Sequence, residues 1–572
     1  MTGTGEDVVP RHPSVLHALR SHALGGTQRT ITVLGRSTAA LGVSELAAAA
    51  QRYAAVLSGL GVRAGDRVLL GMPTRLESLI GFFAVQLLGA VPAPVAVPAG
   101  ARREAAERTL ADLSRYLRPA AIVAPQAVAA ELAQRRGSLG ELVVDGEAVF
   151  RRASEPGASL HEFRLPRPSE PAFIQCTSGS TGNPKGVVVS HANIASNCEQ
   201  IAEFARWGVD DVWVGWLPLY HDMGLIGGLL TPLFVGSSAV FLPPARFLRS
   251  PAQWLRAIGE YRGSISATPN FGLAYAAARI GEAELDAVDV SSMRRIFCGA
   301  EPVGRRDVEA FTERFARHGL PADAVVPCYG LAEATLIVTA ASPSESLRAD
   351  IVSRRALAAQ GRAVPAVQGD PDAQEVVEVG QAVRGTEIRV VDEADGPVAD
   401  GVLGLVQFRG PSRTDGYYEL PEATADCLRP GGWWNTGDIG YMRRGSLRIT
   451  GRQRDLIVIR GANYFPDDFE RAAQSVDGVV PGAVVATGDH DAACGTEQLC
   501  LIVEVAAEAG SYRELDRSIR AAVSAQTGVA VSRVVFVPRH SIPKTTSGKV
   551  RRALARQRFV VEAGPGDVAA LG

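Results

Sequence analysis

Residues 177–186 read Thr-Ser-Gly-Ser-Thr-Gly-Asn-Pro-Lys-Gly, and they hold the most concentrated chemistry in the chain. Glycines Gly179 and Gly182 let successive backbone N–H groups converge on an anion without a Cβ in the way. The hydroxyls of Thr177, Ser178, Ser180 and Thr181 add donors, and Lys185 adds a mobile positive charge. Such a set suits the β- and γ-phosphates of a nucleotide. It is not a Walker A loop, which needs G-x-x-x-x-G-K-S/T opening a helix. Here Pro184 precedes the lysine, Gly186 follows it, and Val187–His191 reads as strand. Taken alone, the segment has a plainer alternative as a polar hairpin tip.

Four further segments carry reactive groups. Cys298-Gly299-Ala300-Glu301-Pro302 ends a strand, and Tyr329-Gly330-Leu331-Ala332-Glu333-Ala334-Thr335 follows downstream. Small residues beside an aromatic side chain make a slot for a flat ring, with Tyr329 stacking on it. Glu333 suits Mg²⁺, which favours one or two carboxylates completed by phosphate oxygens. Each also reads singly as a Gly-rich turn, a core tyrosine or a solvated glutamate. Trp434-Asn435-Thr436-Gly437-Asp438 sets a carboxylate at a tight turn, where it can accept from ribose hydroxyls. Pro543-Lys544-Thr545-Thr546-Ser547-Gly548-Lys549 puts a lysine on a Gly-bearing loop, a feature often merely solvated.

The elements that must hold these groups alternate between helical and strand patterns. Ser44–Leu60 has apolar residues at helical spacing behind a Ser44 N-cap, Val68–Gly71 is a short strand, and Glu77–Leu88 is a second helix. Recurrence of this pattern through Ala121–Pro125, Ala172–Thr177, Ser264–Thr268 and Arg295–Cys298 predicts an α/β fold of helix-covered parallel or mixed sheets. Two places break the rhythm. Leu336–Gly380 is long for a connection and carries an apolar cluster of Ile351, Val352, Leu357, Val364 and Val367. After Gly380 the chain turns β-rich. A charged stretch, Gly451–Asp455, then precedes a segment, 455–572, that mixes strand and helix as a small separate domain would.

Bulk properties exclude several classes. At 572 residues the chain exceeds one ordinary core, so two or more domains are expected. A formal net charge of −2 argues against nucleic acid as the main partner. Seven cysteines lack C-x-x-C spacing and the nine histidines show no ligand spacing, which fits a reducing, cytoplasmic setting without a metal cage. Met1–Ser21 has no continuous apolar region, so no secretory signal is expected. Met223–Ala245 is uncharged and long enough to span a bilayer. Pro232, Pro243 and Pro244 make it read instead as a buried helix, a turn at Gly236 and a strand.

In this order and spacing, from about Ser44 to Arg552, the segments resemble the adenylate-forming superfamily of acyl-CoA synthetases, luciferases and peptide-synthetase adenylation domains. Within it the chain is most similar to fatty acyl-AMP ligases. Trp216-Leu217-Pro218-Leu219-Tyr220-His221-Asp222-Met223-Gly224-Leu225-Ile226-Gly227-Gly228, Thr268-Pro269-Asn270-Phe271, Gly299–Val303 and Ala332–Leu336 carry that likeness. So do Ala332, where many relatives have threonine, and Asn463–Glu470. The Leu336–Gly380 segment falls where such ligases carry an insertion associated with poor use of coenzyme A.

The resemblance implies a large N-terminal domain, residues 1–453, of helix-covered mixed sheets plus a β-rich subdomain, with an insertion at about 337–380. A hinge at Arg454 would join it to a small mobile α+β domain, residues 454–572, carrying the catalytic lysine. It also implies roles. Thr177, Ser178, Gly179, Ser180, Thr181, Gly182 and Lys185 would wrap the outgoing pyrophosphate of ATP. Gly299, Ala300, Glu301, Tyr329 and Gly330 would frame the adenine, Asp438 and Arg452 the ribose, and Glu333 would take Mg²⁺. His221 would stand at the mouth of the acyl tunnel, and Lys549 would bridge carboxylate and α-phosphate. Leu405, Ala462, Arg454 and Glu378-Val379-Gly380 depart from the common family pattern without removing a catalytic group.

The implied activity is that of an ATP-dependent acid ligase: a fatty acid becomes an acyl-adenylate, and the acyl group then passes to a phosphopantetheinylated acyl carrier protein. Coenzyme A as acceptor, a non-fatty carboxylic acid, and a non-catalytic nucleotide-binding relative are the alternatives. Presence of Lys549, Asp438 and Glu333 speaks against the last. Gly272, Ala274 and Ala276–Ala278 would leave room along a helix for an alkyl chain, or merely let helices approach. Arg551, Arg552, Arg556 and Arg558 would meet an acidic carrier protein, or form a solvated helix face.

Overall fold

The computed structural model describes residues 8–97, 103–134, 142–177, 184–286, 288–342, 347–491, 496–505, 512–545 and 549–562. Among these the chain is α/β, with mixed sheets covered by helices. The largest sheet has fifteen strands. Its middle is parallel and nearly continuous in apolar residues, as strands buried on both faces must be. Neighbouring strands Val212–Gly215, Ile265–Thr268, Arg295–Cys298 and Val325–Gly330 run side by side in that part. A second, wholly parallel sheet orders Val91–Val95, Arg67–Gly71, Ala121–Ala124 and Leu142–Asp145.

One continuous core spans both regions. Helices Val43–Gly59 and Leu76–Leu87 pack on each other through residues such as Tyr53, Leu57, Phe82 and Phe83, all essentially inaccessible. The first of these begins before Ser44. Its N-cap is Gly42, whose N–H donates to Glu45 Oε2 at 2.7 Å, while the Ser44 hydroxyl donates to the Ala23 carbonyl. The capping group is therefore the carboxylate at the third helical position, half of a capping box.

Met223–Leu230 forms a π-helix running into helix Thr231–Val235, with Gly236 left-handed and strand Ser238–Phe241 after it. That is the helix, turn and strand expected, apart from the wider helical winding. Among the described residues no helix is long and apolar enough to cross a membrane.

The segment after Leu336 adds strands Ile337–Ala340, Ala349–Ser353 and Ala373–Ala382 and helix Arg354–Gln360. Val352 and Leu357 join Ala363, Val376 and Tyr441 in a small core of their own. Val364 and Val367, expected in that cluster, are instead 40% and 76% exposed, because the chain there runs out along the surface between its two anchored ends. The buried ion pair Arg448 Nη2–Glu378 Oε2, at 2.8 Å, ties this segment to strand Ser446–Arg452.

Residues from Ile457 onward build a different core. Strands Val479–Asp491, Thr496–Val505 and Val531–Pro538 form a separate three-stranded sheet, packed by helices Pro466–Gln474 and Tyr512–Thr527 through Phe469, Leu501, Val503, Ile519 and Val523. Two hydrogen bonds reach it from the segment after Leu336. Gln374 Nε2 donates to Asp468 Oδ1 at 3.0 Å, and the Arg354 guanidinium donates to the Gln526 carbonyl.

Gly380 has φ +84, and a Cβ there would lie 1.8 Å from the Ala340 carbonyl oxygen, an atom of a neighbouring strand that cannot yield. Gly380→Ala is therefore expected to cost about 3 kcal/mol or more through the left-handed backbone and the clash together, measured as a lowered thermal melting temperature and reduced soluble yield.

Candidate active site

The four adjacent parallel strands end at one edge of the sheet, and each is followed by a segment singled out by its chemistry. Trp216–His221 follows Gly215, Pro269–Phe271 follows Thr268, Gly299–Glu301 follows Cys298, and Leu331–Glu333 follows Gly330. In open α/β sheets the carboxyl ends of strands form the crevice where ligands bind. Register alone thus gathers groups that lie over a hundred residues apart.

On one side of this crevice stands the hairpin of strands Pro171–Thr177 and Lys185–Ser190. Thr177 faces Lys185 across it, and the Thr177 hydroxyl donates to the Lys185 carbonyl at 3.3 Å. The tip carrying Ser178, Gly179, Ser180, Thr181 and Gly182 lies outside the described residues. Lys185 Nζ sits 4.6 Å from the centroid of the Tyr417 ring, and the Tyr417 hydroxyl donates to Glu333 Oε1 at 2.7 Å. Glu333 itself rides a 3₁₀ turn, Ala332–Ala334, that doubles back so that the Leu331 N–H donates to the Leu336 carbonyl. A Cβ on Gly330 would lie 1.9 Å from that same oxygen, so only glycine permits the reversal.

Across the crevice, Tyr329 and Asp438 meet. The Tyr329 hydroxyl donates to Asp438 Oδ2 at 2.6 Å, and Arg452 Nε lies 3.1 Å from Asp438 Oδ1. Asp438 and Arg452 are partners on adjacent antiparallel strands, Trp433–Arg443 and Ser446–Arg452. Asp438 is only 5% exposed. Its charge, outweighing partial desolvation of a side chain still 44% exposed, holds the Arg452 guanidinium above the ordinary arginine value. Burial, then the charge of Asp438, pushes the Tyr329 hydroxyl well up, so the phenol remains a donor. Ala300 takes φ +67, a left-handed conformation that costs roughly 1–2 kcal/mol in a residue with a Cβ.

The third wall holds His221. Its Nδ1 is 2.6 Å from Asp222 Oδ1, which also accepts from the Met223 N–H at 2.7 Å. Burial would raise the Asp222 carboxyl. The His221 imidazole and its hydrogen bond, with Lys549 and the Met223 N–H, outweigh that and hold it low. With Nδ1 engaged by Asp222 and by the Met223 N–H at 3.3 Å, His221 Nε2 is the nitrogen left for a ligand. Gln175 steadies the loop from behind, donating to the Tyr220 carbonyl at 3.0 Å. Glu301 Oε1 accepts from the Phe271 N–H at 2.7 Å. Burial raises the Glu301 carboxyl, while Phe271 and Lys549 act in the opposite direction.

Lys549 comes to this crevice from the far end of the chain, although it belongs to the separate C-terminal core region. It lies within electrostatic reach of Asp222, Asp438, Glu301 and Arg452. The residue is exposed to solvent. Crowding by the cleft walls, then the charge of Arg452, nevertheless lowers its ammonium below the ordinary lysine value, against the pull of the three carboxylates. The crevice thus holds Lys185 over the Tyr417 ring, Glu333 bonded to the same tyrosine, and Arg452 paired with Asp438 within electrostatic reach of Lys549.

Residues 22–418 match the family model described as AMP-binding enzyme. The chain belongs to the AMP-binding enzyme family. It is 35% identical over 531 residues to the 4-hydroxyphenylalkanoate adenylyltransferase of Mycobacterium marinum, covering 88% of this chain and 83% of that one. A long-chain-fatty-acid–AMP ligase, FadD26, of the same organism is 34% identical, with 86% and 87% covered. The medium-chain-fatty-acid–acyl-carrier-protein ligase TtuA of Teredinibacter turnerae is 31% identical, with 87% and 85% covered. A solved structure from a study of the fatty acyl-adenylate ligases of E. coli and L. pneumophila superposes with a TM-score of 0.87 at 32% identity, covering 96% of this chain and 98% of that one. This AMP-binding enzyme is therefore an ATP-dependent, adenylate-forming ligase with the fold of that group.

Two sequence expectations for the AMP-binding enzyme need correction. Gly272 does not open room for an alkyl chain: a Cβ there would meet Thr268 Oγ1 at 2.1 Å and Trp216 Cζ2 at 2.8 Å, so the space is already filled by an indole. Ala276 is fully buried in the core and Ala278 faces solvent. Of the four C-terminal arginines, Arg558 is exposed and two are turned to internal partners. Arg552 is spent on Asp467 at 2.7 Å and Glu470 at 3.0 Å, and Arg556 donates to the Gly488 carbonyl. Sequence reading passed over Asp222, Gln175 and Tyr417. Asp222 adjoins His221 and was open to notice. Tyr417 stands in an ordinary Gly-Tyr-Tyr run with nothing to mark it.

Among the described residues no group of three or more His, Cys, Asp or Glu could cage a metal ion. A lone carboxylate at a phosphate site is nevertheless what Mg²⁺ asks for, since phosphate oxygens and water complete its octahedron. The donor set around Glu333 fits that ion.

Because Glu301 helps keep Lys549 protonated, Glu301→Gln is expected to lower the Lys549 value further. The alkaline fall of adenylation, as the lysine loses its charge with rising pH, then shifts to lower pH than in the parent enzyme, measured as a pH profile of ATP–pyrophosphate exchange.

Proposed function

We propose that this enzyme is a fatty acyl-AMP ligase that delivers its product to an acyl carrier protein. A carboxylate oxygen of the acid attacks the α-phosphorus of ATP, the bond to the β-phosphate oxygen breaks, and pyrophosphate leaves. The phosphopantetheine thiol of the carrier then attacks the acyl carbonyl; the acyl C–O bond breaks, the thiol proton is released and AMP departs. The observation that carries this reading is the convergence of Lys185, Glu333, Asp438, Arg452 and Lys549 on one crevice, from five separate stretches of a chain in the AMP-binding family.

In this reading Lys549 bridges the acid and the α-phosphate, offsetting the repulsion between two anions. Thr177 and Lys185, with the loop between them, take the outgoing pyrophosphate. Gly299, Ala300, Glu301, Tyr329 and Gly330 flank the adenine, and Asp438 accepts from the ribose hydroxyls while Arg452 and Tyr329 keep it ionised and aimed. His221 stands beside the reacting carboxylate. Glu333 holds Mg²⁺, which supplies positive charge to the phosphate oxygens when bound. Positioning does much of the rest, because phosphoryl transfer asks for little covalent help from protein.

We also propose a division into an adenylation domain of residues 1–453 and a mobile lysine-bearing domain of residues 454–572, turning at Arg454. The separate core beyond Ile457 supports it. The carrier-protein acceptor is favoured over coenzyme A by the insertion after Leu336, whose Gln374 and Arg354 hold the C-terminal domain directly, and by the relative that acts on an acyl carrier protein. Free thiols at all six described cysteines accord with a cytoplasmic setting.

A second reading of the acid has one observation behind it. Trp216 stacks on Phe247 with centroids 3.8 Å apart and meets Phe271 edge-on at 5.8 Å, beside the Glu301 contact. Such an aromatic wall suits an arylalkanoic acid, the class named for one relative.

Lys549→Ala is expected to slow adenylation by about 10²–10³-fold, the scale of one preorganised charge donor, measured by ATP–pyrophosphate exchange. Mass spectrometry of products from ATP, Mg²⁺ and a panel of fatty and arylalkanoic acids, with coenzyme A or a phosphopantetheinylated carrier as acceptor, decides the rest. Acyl-carrier without acyl-CoA is the expected result; abundant acyl-CoA would make the enzyme a synthetase.

A further inference from the structure

Tyr417 touches two groups that the reaction uses for different ends. Its hydroxyl donates to Glu333 Oε1 at 2.7 Å, and its ring lies under Lys185 Nζ at 4.6 Å. The same ring packs edge-on against Trp434, and the residue is only 9% exposed. Its backbone is fixed to the strand that bears Lys185. Val188 N–H donates to the Gly416 carbonyl at 3.1 Å, Tyr418 N–H donates to the Gly186 carbonyl at 2.8 Å, and Tyr417 N–H donates to Thr424 Oγ1 at 3.0 Å. Three residues earlier, Thr414 N–H donates to the Glu333 carbonyl at 2.8 Å, and the Thr335 hydroxyl donates to the Ser412 carbonyl at 2.7 Å. One short loop is therefore sewn to both the lysine strand and the glutamate turn.

We propose that Tyr417 is a positioning residue that sets the cation-bearing carboxylate and the pyrophosphate-binding lysine as a single unit, its hydroxyl orienting Glu333 and its ring seating Lys185. The inference rests on the roles proposed above for those two residues. Pinning Oε1 leaves Oε2 for the cation and prevents the carboxylate from closing on Lys185 in a direct ion pair, which would neutralise both before ATP arrives. The aromatic face gives the ammonium a favourable resting place that phosphate oxygens can outcompete.

The test uses full-length enzyme, no acid, and calorimetric titration with ATP in the presence of Mg²⁺ and again in EDTA. Tyr417→Phe keeps the ring and loses only the hydroxyl. It is expected to weaken Mg·ATP binding about tenfold, the scale of one hydrogen bond to a charged group, while metal-free ATP binds within about twofold of the parent. In a separate assay with the acid added, the Mg²⁺ concentration for half-maximal ATP–pyrophosphate exchange should rise in the same proportion. Tyr417→Leu removes the ring as well and is expected to weaken both forms of ATP. Unchanged Mg·ATP binding in Tyr417→Phe would overturn the proposal. So would equal weakening of both forms in that variant with a lowered melting temperature, which marks a packing tyrosine. If the parent enzyme binds Mg·ATP but exchanges pyrophosphate with no acid, the fatty acyl reading fails while the Tyr417 comparison still reads out.

Discussion

A carboxylate that is almost wholly buried needs partners, and the site is built around the way Asp438 finds them. Leaving its charge unpaired would cost several kcal/mol. The hydroxyl of Tyr329 and the guanidinium of Arg452 meet that need from two different parts of the sheet. One comes from the end of the central parallel strands, the other from the antiparallel extension. Satisfying one charge thus locks the β-rich part of the chain onto the parallel part, and the join lies at the carboxyl-end edge of the parallel strands.

From that anchor the electrostatics of the cleft follow. Arg452 is fixed, and its charge helps lower the ammonium of Lys549. The carboxylates of Asp222, Asp438 and Glu301 act on the same ammonium in the other direction. A site lined only with cations would bind ATP tightly but would stabilise substrate and transition state alike. Here Arg452 is paired with Asp438 and Lys185 rests on the Tyr417 ring.

Small residues matter here for close approach rather than for spare room. Gly330 allows the chain to fold back under Glu333, and Gly272 makes space for the Trp216 ring. The stacked rings of Trp216 and Phe247 consequently pack beside helix Asn270–Arg279, whose small residues also read as room for an alkyl chain or for close helix approach. A glycine in sequence records that something approaches closely without saying what does.

Much of this protein was legible in sequence because its chemistry is local. The Thr177–Gly186 segment, Asp438 and Lys549 are marked by composition within a few residues, and alternation of apolar runs gave the α/β class, since periodicity follows from burial on sheet and helix faces. The internal use of Arg552 was decided by contacts with a distant segment, while the Gly42 cap rests on Glu45 three residues on. Tyr417 is the clearest case: its ring and hydroxyl gain meaning only where Lys185 and Glu333 stand on either side. Residue types and short spacings determined which reaction the chain has the groups to perform. Only tertiary structure decided which group faces which, because hydrogen bonds and ion pairs act over about 3 Å in space and take no account of distance along the chain.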